Sequence, residues 1–171
     1  MELGKAAVLR APCDALKARA VTKSSAGNFF EDFRLGQVIE HATPRTITAG
    51  DAALYVALYG TRFAVQSSDV FAQAIGYPRA PIDDFLVFHI VFGKSVPDIS
   101  LNAVANLGYA GCRFLAPVYP GDTLSARSEI IGLKENSNRK TGVVYVRSVG
   151  FKQDGTAVLD FTRWEIGRAH V

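Results

Sequence analysis

Apolar residues follow two different periods along the chain, and the change of period divides it into a helical part and a strand part. Ahead of Pro97, apolar residues recur at helical spacing in three segments, Ala52–Leu58, Val70–Ile75 and Phe85–Phe92. One strand is predicted before them, over Gln37–Thr46. Beyond Pro97, runs rich in Val, Ile, Tyr and Phe predict strands over Ala103–Ala116, Asp122–Leu133, Thr141–Phe151 and Thr156–Trp164.

Helix-capping residues stand at the ends of the three helical segments. Thr48 followed by Asp51 is a capping-box pattern, and Ser68 is a cap for the second segment. Asp83 and Asp84 place carboxylates at the start of the third, where the helix dipole favours negative charge. Gly60 and Gly76 are predicted to end the first two helices, and the apolar run of the third segment stops at Gly93.

The third helical segment determines the expected architecture. Phe85–Phe92 is apolar on nearly every face, which is typical of a buried helix. The later strands are joined by short turns such as Gln153–Gly155, and they therefore predict an antiparallel sheet. A sheet curved around one central helix buries both, so the predicted fold class is α+β.

Composition and charge narrow the class of protein. The 171 residues, 49% of them hydrophobic, suffice for one domain with its own core. A charged fraction of 20% and a net charge of +3 predict a folded chain without a nucleic-acid surface. Cys13 and Cys112 make neither a disulfide framework nor a metal site, which favours a reducing cytoplasm. The longest apolar run, Phe85–Gly93, is too short to cross a membrane.

The chain divides into three zones. Met1–Ala26 is rich in Ala, Lys and Ser without a sustained apolar period, which predicts a disordered leader. A single packed domain is predicted over residues 28–164. The final EIGRAHV back-translates into the start of a common short-read sequencing adapter, so residues 165–171 are interpreted as a non-native tail.

A strand–turn–strand segment, GYAGCRFLAPVYPGDTL at residues 108–124, resembles the signature of the MaoC-like acyl-CoA hydratases and dehydratases. Three further stretches, APIDDFLVFHIVFGK, PDISLNAVANLGY and GLKENSNRKTG, resemble the amino-terminal half of the 2-methylfumaryl-CoA (mesaconyl-CoA) hydratase family. The resemblance implies a hotdog fold and reversible addition of water to mesaconyl-CoA, giving β-methylmalyl-CoA. It implies no metal, and no cofactor beyond the CoA of the substrate.

The chain departs from the family at the residues that carry the chemistry. Family hydratases use a Gly-Asp-x-Asn-Pro-x-His segment, and Gly60–Gln66 puts Thr61 at its Asp and Gln66 at its His, neither of which is a base at neutral pH. The family's thioester carbonyl meets a backbone N–H at the start of the central helix, within a Pro-Ile-x-His-Gly segment. Here Asp84 replaces the His and Phe85 the Gly, so a carboxylate opposes the enolate and a phenyl ring crowds the carbonyl.

These departures predict a catalytically degenerate half, whose working base lies in a second hotdog half. Residues predicted to line the acyl-CoA cleft without catalysing the reaction are Thr61, Phe63, Gln66, Phe85, Asn106 and Arg113. Because a hotdog sheet exposes an edge strand and an apolar flank, the chain by itself is expected to homodimerise imperfectly or aggregate.

Replacement chemistry on the third helix is an open alternative. His89 is interpreted as a hydrogen-bonded core histidine, with a relocated catalytic base as the alternative. Asp83 and Asp84 are interpreted as cap and dipole partners, with an acid–base pair as the alternative. Asp84 and His89 would make a replacement dyad if both faced one cleft, although their directions on a helix differ by about 140°.

Basic and aromatic residues of the strand region have simpler interpretations. Arg113 is expected to anchor its strand through a carboxylate such as Asp122, with a cofactor phosphate as the alternative. Asn138–Lys140 is expected to be a solvated loop, with the phosphates of CoA as the alternative. Packing within the sheet is predicted for Tyr145, Phe151 and Trp164.

Three functions remain open at this point. The first is an acyl-CoA hydratase in which this half forms one wall of the cleft. The second is a non-enzymatic scaffold or CoA-binding domain. The third is a hotdog thioesterase that activates water with Asp83 or Asp84. The long match around IDDFLVFHIVFGK and KENSNRKTG favours the hydratase lineage.

Overall fold

The computed structural model describes residues 26–60 and 63–168. The helices of this part of the chain are α1 (Ala49–Tyr59), α2 (Ala64–Ser67), α3 (Asp69–Ala74) and α4 (Asp84–Ser95). Its strands are β1 (Val38–Glu40), β2 (Arg45–Thr46), β3 (Ala103–Phe114), β4 (Thr123–Glu135), β5 (Thr141–Phe151) and β6 (Ala157–Arg168). A 3-10 turn at Phe30–Asp32 precedes β1, and a π-helical turn at Val96–Ser100 continues α4. The predicted leader lies outside the described residues except for Ala26.

The strands form an antiparallel sheet in the order β1-β4-β5-β6-β3, and β2 pairs with β4 beside this path. The helix α4 packs against β4, β5 and β6. The antiparallel sheet around one central helix is confirmed. None of the described helices is long and apolar enough to span a membrane.

The single strand predicted over Gln37–Thr46 is wrong, because two short strands, β1 and β2, take its place. Between them the His41 side chain turns into the core, and Thr43 adopts a left-handed backbone with φ of 60°. This conformation interrupts the extended backbone that a strand needs. The last strand runs longer than predicted, since β6 continues beyond Trp164 to Arg168.

One face of α4 is buried against the sheet. It consists of Val87, Ile90, Val91 and Ser95. Below it, a methyl group added at Gly150 would lie 2.5 Å from Cγ2 of Val91. Glycine at this position therefore allows α4 to approach β5 closely, and an alanine would push the helix away.

The opposite face of α4 is not covered by the described part of the chain. The side chain of Phe85 is 64% exposed, and His89 is exposed as well. The prediction of a helix buried all round is therefore wrong for this chain alone. The physical reason is that β3, the strand beside this face, is an edge strand whose only partner among the described strands is β6.

Aromatic rings cover glycines on the outer face of the sheet. Tyr145 pairs in register with Gly132 and with Trp164, and Trp164 pairs with Gly108. The two rings stack with centroids 6.4 Å apart. A methyl group at Gly108 would lie 2.8 Å from the Trp164 indole. The predicted role of Tyr145 and Trp164 in sheet packing agrees with this geometry.

Exposed apolar side chains are concentrated on β3 and on the three helices that precede α4. On β3 they include Val104, Leu107 and Tyr109. On the helical side they include Leu54, Leu58, Tyr59, Phe63, Val70 and Ile75. Exposed apolar residues along an unpaired strand edge are typical of a surface that another domain or subunit covers.

Candidate functional site

The site that the sequence predicts lies where α4 begins, against the far end of β3. The Phe85 ring meets the Phe114 ring edge-on, with centroids 6.4 Å apart. The backbone N–H of Ile82 donates to the carbonyl oxygen of Val118 at 2.7 Å, which fixes the segment leading into α4 against the β3–β4 turn. The position of the helix N-terminus relative to the sheet is therefore well defined.

Asp83 is the N-cap of α4, as predicted. Its Oδ1 accepts the backbone N–H of Phe85 at 2.9 Å. The first turn of a helix offers free amides that can stabilise an anion. Here the amide of Phe85, at the position of the glycine in the family's Pro-Ile-x-His-Gly segment, is already bound to a carboxylate of the same chain.

Asp84 lies beside this cap with a perturbed carboxyl group. Partial desolvation raises its pKa above the ordinary value, and the neighbouring Asp83 carboxylate raises it further. The charge of Asp84 in turn acts on the Cys112 thiol of β3, whose pKa is raised mainly by burial and also by Asp160 and Asp84. A carboxyl pKa that is raised toward neutrality suits a general acid or a general base, so the shift alone does not distinguish the two roles.

His89 is not a core histidine, which corrects the sequence-based interpretation. It is exposed, and its ring lies 6.1 Å from the ring of Tyr55 on α1 and 6.1 Å from that of Phe88. The hydrogen bonds of the described residues do not join Asp84 to His89. The structure thus brings His89 together with Tyr55 rather than with Asp84.

Three of the predicted cleft residues, Thr61, Phe63 and Gln66, precede α4 in the sequence, and Gln66 lies on the short helix α2. Thr61 lies outside the described residues. Phe63 precedes α2 and is 70% exposed, and the backbone N–H of Gln66 donates to its carbonyl oxygen at 3.1 Å. The Gln66 side chain has a buried Oε1 without a hydrogen-bond partner among the described residues.

The predicted cleft residues on β3 lie on the edge strand. Asn106 is exposed and pairs in register with Glu165 of β6. Arg113 anchors its strand, but through Asp160 and not through Asp122: its Nη2 donates to Oδ2 of Asp160 at 3.0 Å. Asp160 also receives two hydrogen bonds from Arg147, at 3.0 and 2.9 Å, and this side-chain pairing lowers the pKa of the Asp160 carboxyl. Asp122 instead pairs with Lys152 of the β5–β6 turn.

Two buried polar networks at the other end of α4 were missed by the sequence reasoning. In the first, His41 Nδ1 lies 2.7 Å from Asp98 Oδ2, and His41 Nε2 lies 2.7 Å from Ser128 Oγ. Ser128 Oγ lies 2.7 Å from Ser148 Oγ, and both serines are fully buried. The order Asp–His–Ser resembles a hydrolytic triad, but an enclosed serine that is bonded on both sides cannot attack a substrate.

The second network joins β6 to the π-helical turn. Arg163 Nη1 donates to Ser95 Oγ at 2.7 Å, and Ser100 Oγ donates to Glu165 Oε2 at 2.8 Å. Burial lowers the pKa of Arg163 and raises that of Glu165. The Arg163 guanidinium also lies 4.8 Å from the centroid of the Phe92 ring. Together the two networks fix the carboxyl-terminal end of the central helix to the sheet.

A sequence signal for these networks exists in the alternation of the strands. Ser128, Ser148, Arg163 and Glu165 occupy inward positions of strands whose other inward residues are mostly apolar, and a polar residue there indicates a buried hydrogen-bonded group. A pocket of about 170 Å³ borders Asp98 and Lys94 at this end of α4, away from the predicted site. The described residues contain no cluster of His, Cys, Asp and Glu that could hold a metal ion.

Comparisons with known proteins agree with the geometry. The chain is 68% identical over 146 residues to the β-methylmalyl-CoA dehydratase of Chloroflexus aurantiacus, which covers 85% of this chain and 42% of that protein. It is 62% identical over 146 residues to the mesaconyl-CoA hydratase of Cereibacter sphaeroides, covering 85% and 43%. The chain thus spans less than half the length of these curated relatives.

Solved structures show the same fold. A MaoC domain protein dehydratase of Chloroflexus aurantiacus matches with a TM-score of 0.85 and 66% identity, over 87% of this chain and 42% of that one. A Mycobacterium tuberculosis protein described as having a double hotdog fold matches with a TM-score of 0.77 and 32% identity, over 84% and 45%. The hotdog fold predicted from the sequence is confirmed.

A family model described as mesaconyl-CoA hydratase matches residues 11–167. This range includes the start of α4, the edge strand β3 and both buried networks. The chain belongs to the mesaconyl-CoA hydratase family.

Proposed function

We propose that this chain is the amino-terminal, catalytically degenerate half of an acyl-CoA hydratase that reversibly adds water to mesaconyl-CoA. The observation that carries the proposal is the hydrogen bond from the Phe85 amide to the Asp83 carboxylate, at 2.9 Å. The proposed substrate comes from the names of the relatives. The proposed loss of activity in this half rests on the chemistry at the start of α4.

Hydration beside a thioester passes through an enolate-like state whose oxygen needs a hydrogen-bond donor. In this half the helix amide at the expected place is bound to Asp83. A thioester oxygen would have to displace that carboxylate, and it would meet the Phe85 ring and the Asp84 carboxyl beside it. Each of these features opposes negative charge or excludes the substrate carbonyl.

The base is missing as well. Thr61 and Gln66 occupy the positions of the family's Asp and His, and neither side chain accepts a proton at neutral pH. We infer that water is activated by a second hotdog half, which the greater length of the relatives can supply. The unpaired edge of β3 and the exposed face of α4 form the surface on which that half, or a second copy of this chain, packs.

In this account Phe63, Gln66, Phe85, Asn106 and Arg113 line one wall of the acyl-CoA cleft. The alternative is a scaffold or CoA-binding domain, in which this half has a structural role and takes no part in a reaction. A thioesterase is the less favoured alternative, because the relatives are named as a dehydratase and a hydratase.

Turnover of mesaconyl-CoA by two preparations tests the proposal. One is the purified chain alone, and the other is the chain produced together with the carboxyl-terminal half of the Chloroflexus aurantiacus relative. Loss of enoyl-thioester absorbance and the mass of the product report hydration, and a thiol reagent reports free CoA.

The chain alone is expected to be inactive, and the assembly to form the hydrated thioester. Hydration by the chain alone would mean a relocated site, and release of CoA would mean a thioesterase. An inactive assembly, in which both halves are folded and associated, would contradict the hydratase proposal.

A further inference from the structure

Three side chains that the candidate site does not use meet at the end of the sheet where α4 begins. Arg79 lies in the loop before α4, Tyr119 in the β3–β4 turn and Lys152 in the β5–β6 turn. Arg79 is held in place by Nη2, which donates to the carbonyl oxygen of Pro120 at 2.6 Å. Three separate segments thus supply two cations and one aromatic ring to one place.

The two cations flank the tyrosine. The guanidinium carbon of Arg79 lies 5.6 Å from the centroid of the Tyr119 ring, and Lys152 Nζ lies 5.5 Å from the same centroid. Both distances are within the range of cation–π attraction. The ring is therefore oriented by its neighbours before any ligand binds.

The cluster carries unneutralised positive charge. Lys152 Nζ pairs with Asp122 Oδ2 at 3.0 Å. Arg79 is exposed, and it forms no ion pair with a carboxylate in the described part of the chain. An exposed guanidinium of this kind suits the two-pronged recognition of a phosphate.

The cluster lies on the segments that adjoin the end of β3 and the start of α4, the two elements whose exposed residues form the surface assigned to the second half. Tyr77 and Leu115, in the same two segments, are exposed apolar residues. An acyl-CoA molecule places its acyl end in an apolar cleft and keeps its charged nucleotide outside. A cation and an aromatic ring on these adjoining segments match that division.

The other basic groups of the strand region fit this role less well. Asn138–Lys140 follows β4 and precedes β5, whereas Lys152 follows the other end of β5. The length of β5 separates the two ends by on the order of 35 Å. Arg113 is already paired with Asp160.

We propose that Arg79, Tyr119 and Lys152 form the subsite for the nucleotide end of the acyl-CoA thioester. The Arg79 guanidinium binds phosphate, while Lys152, which is paired with Asp122, orients the Tyr119 ring that supports Arg79. This inference rests on the proposed function, and it divides the work between the halves: the inactive half holds the nucleotide, while the second half holds the reacting acyl group.

The test uses two substrates with the assembled protein, mesaconyl-CoA and the mesaconyl thioester of pantetheine, which lacks the nucleotide. Arg79→Gln removes the charge and keeps a polar side chain. For mesaconyl-CoA we expect KM to rise about tenfold or more with kcat unchanged, as for the loss of one charge-assisted contact. For the pantetheine thioester we expect no change in KM. Arg139→Gln, in the loop at the far end of β5, is the matched control and should alter neither.

An equal change for both substrates, or no change for either, would overturn the subsite. If the wild-type assembly proves inactive, so that the proposed function fails, titration of the chain with adenosine 3′,5′-bisphosphate decides the matter separately. Binding that weakens about tenfold in Arg79→Gln supports the subsite. Equal affinities, or no binding by the wild-type chain, overturn it.

Discussion

Oδ1 of Asp83 accepts the backbone N–H of Phe85 at 2.9 Å, so the central helix closes its own N-terminus. In the proposed account, the capping of α4 and the loss of activity have one cause. The amide that would stabilise a thioester oxyanion stabilises the helix instead.

Asp83→Ala should lower the free energy of unfolding by about 1 kcal/mol, because it removes the N-cap. Asp84→Ala is the control at the next position. It should leave stability unchanged or raise it at neutral pH, because the raised pKa of Asp84 shows that its ionised form is disfavoured in the fold. Urea denaturation measures both. A larger loss for Asp84→Ala than for Asp83→Ala would contradict the assignment of the cap.

His41 and His89 should differ sharply when each is replaced by glutamine. His41 is buried between Asp98 and Ser128, so His41→Gln should cost about 2 kcal/mol of stability through unsatisfied buried groups. His89 is exposed, and His89→Gln should change stability by less than about 0.5 kcal/mol. If urea denaturation at neutral pH gave equal losses of stability for the two variants, the result would contradict a stabilising role for the buried network.

Lowering the pH should also reduce the free energy of unfolding, because His41 is buried in the folded chain. Burial lowers its pKa below 6.5, and Arg163 acts in the same direction, although Asp98 and Glu40 oppose the shift. Below pH 6.5 the unfolded chain therefore binds a proton that the folded chain does not, so folding loses free energy as the pH falls toward the lowered pKa. The pH dependence of unfolding between pH 7.5 and pH 5.5 should be weaker in His41→Gln than in the wild type. An unchanged slope would contradict the lowered pKa.

Two glycines should respond in opposite directions to alanine. At Gly108 the new methyl group would lie 2.8 Å from Trp164, so Gly108→Ala should cost about 1–3 kcal/mol through overpacking. At Gly93 in α4 nothing lies within 4 Å, and Gly93→Ala should stabilise the chain by up to about 1 kcal/mol through helix propensity. The midpoint of thermal unfolding, followed by the fluorescence of Trp164, measures both. Destabilisation by Gly93→Ala together with a neutral Gly108→Ala would refute the packing.

The chain by itself should associate through β3. Leu107 on β3 is 48% exposed and Ile131 on β4 is 43% exposed, so lysine at either site changes the surface charge to a similar degree. In sedimentation velocity, Leu107→Lys should shift the distribution toward monomer, because a charge at an unpaired strand edge opposes pairing. Ile131→Lys should leave it unchanged. A monodisperse wild-type monomer would contradict the expected association.

The sequence predicted the architecture because its signals were local and consistent. The caps at Thr48 and Asp83, and the strand runs after Pro97, each act over a few residues. The errors arose where one residue depended on distant ones. His89 lies in an apolar run, yet its exposure is decided by whether anything covers β3. Likewise, the partner of Arg113 is set by strand register, which brings Asp160 opposite to it.

From the sequence, the candidate site could be predicted only as a set of positions at which this chain departs from the family pattern. Asp84 and Phe85 could be recognised as wrong for the family from their positions alone. The hydrogen bond that occupies the Phe85 amide could not be recognised from the sequence, because it depends on the geometry of the Asp83 cap. The Asp98–His41–Ser128 network depends on three distant segments meeting in the core, and no local pattern joins them.

The central claim is that this half contributes no catalytic group. Turnover of mesaconyl-CoA by the assembled protein carrying both Asp84→Asn and His89→Gln tests it most directly, since these are the residues best suited to a relocated reaction. We predict a kcat within about twofold of the wild-type assembly, because the proposal assigns the general acid and base to the second half. A fall of about a hundredfold or more, with both halves still folded and associated, would place catalysis on α4 and contradict the account.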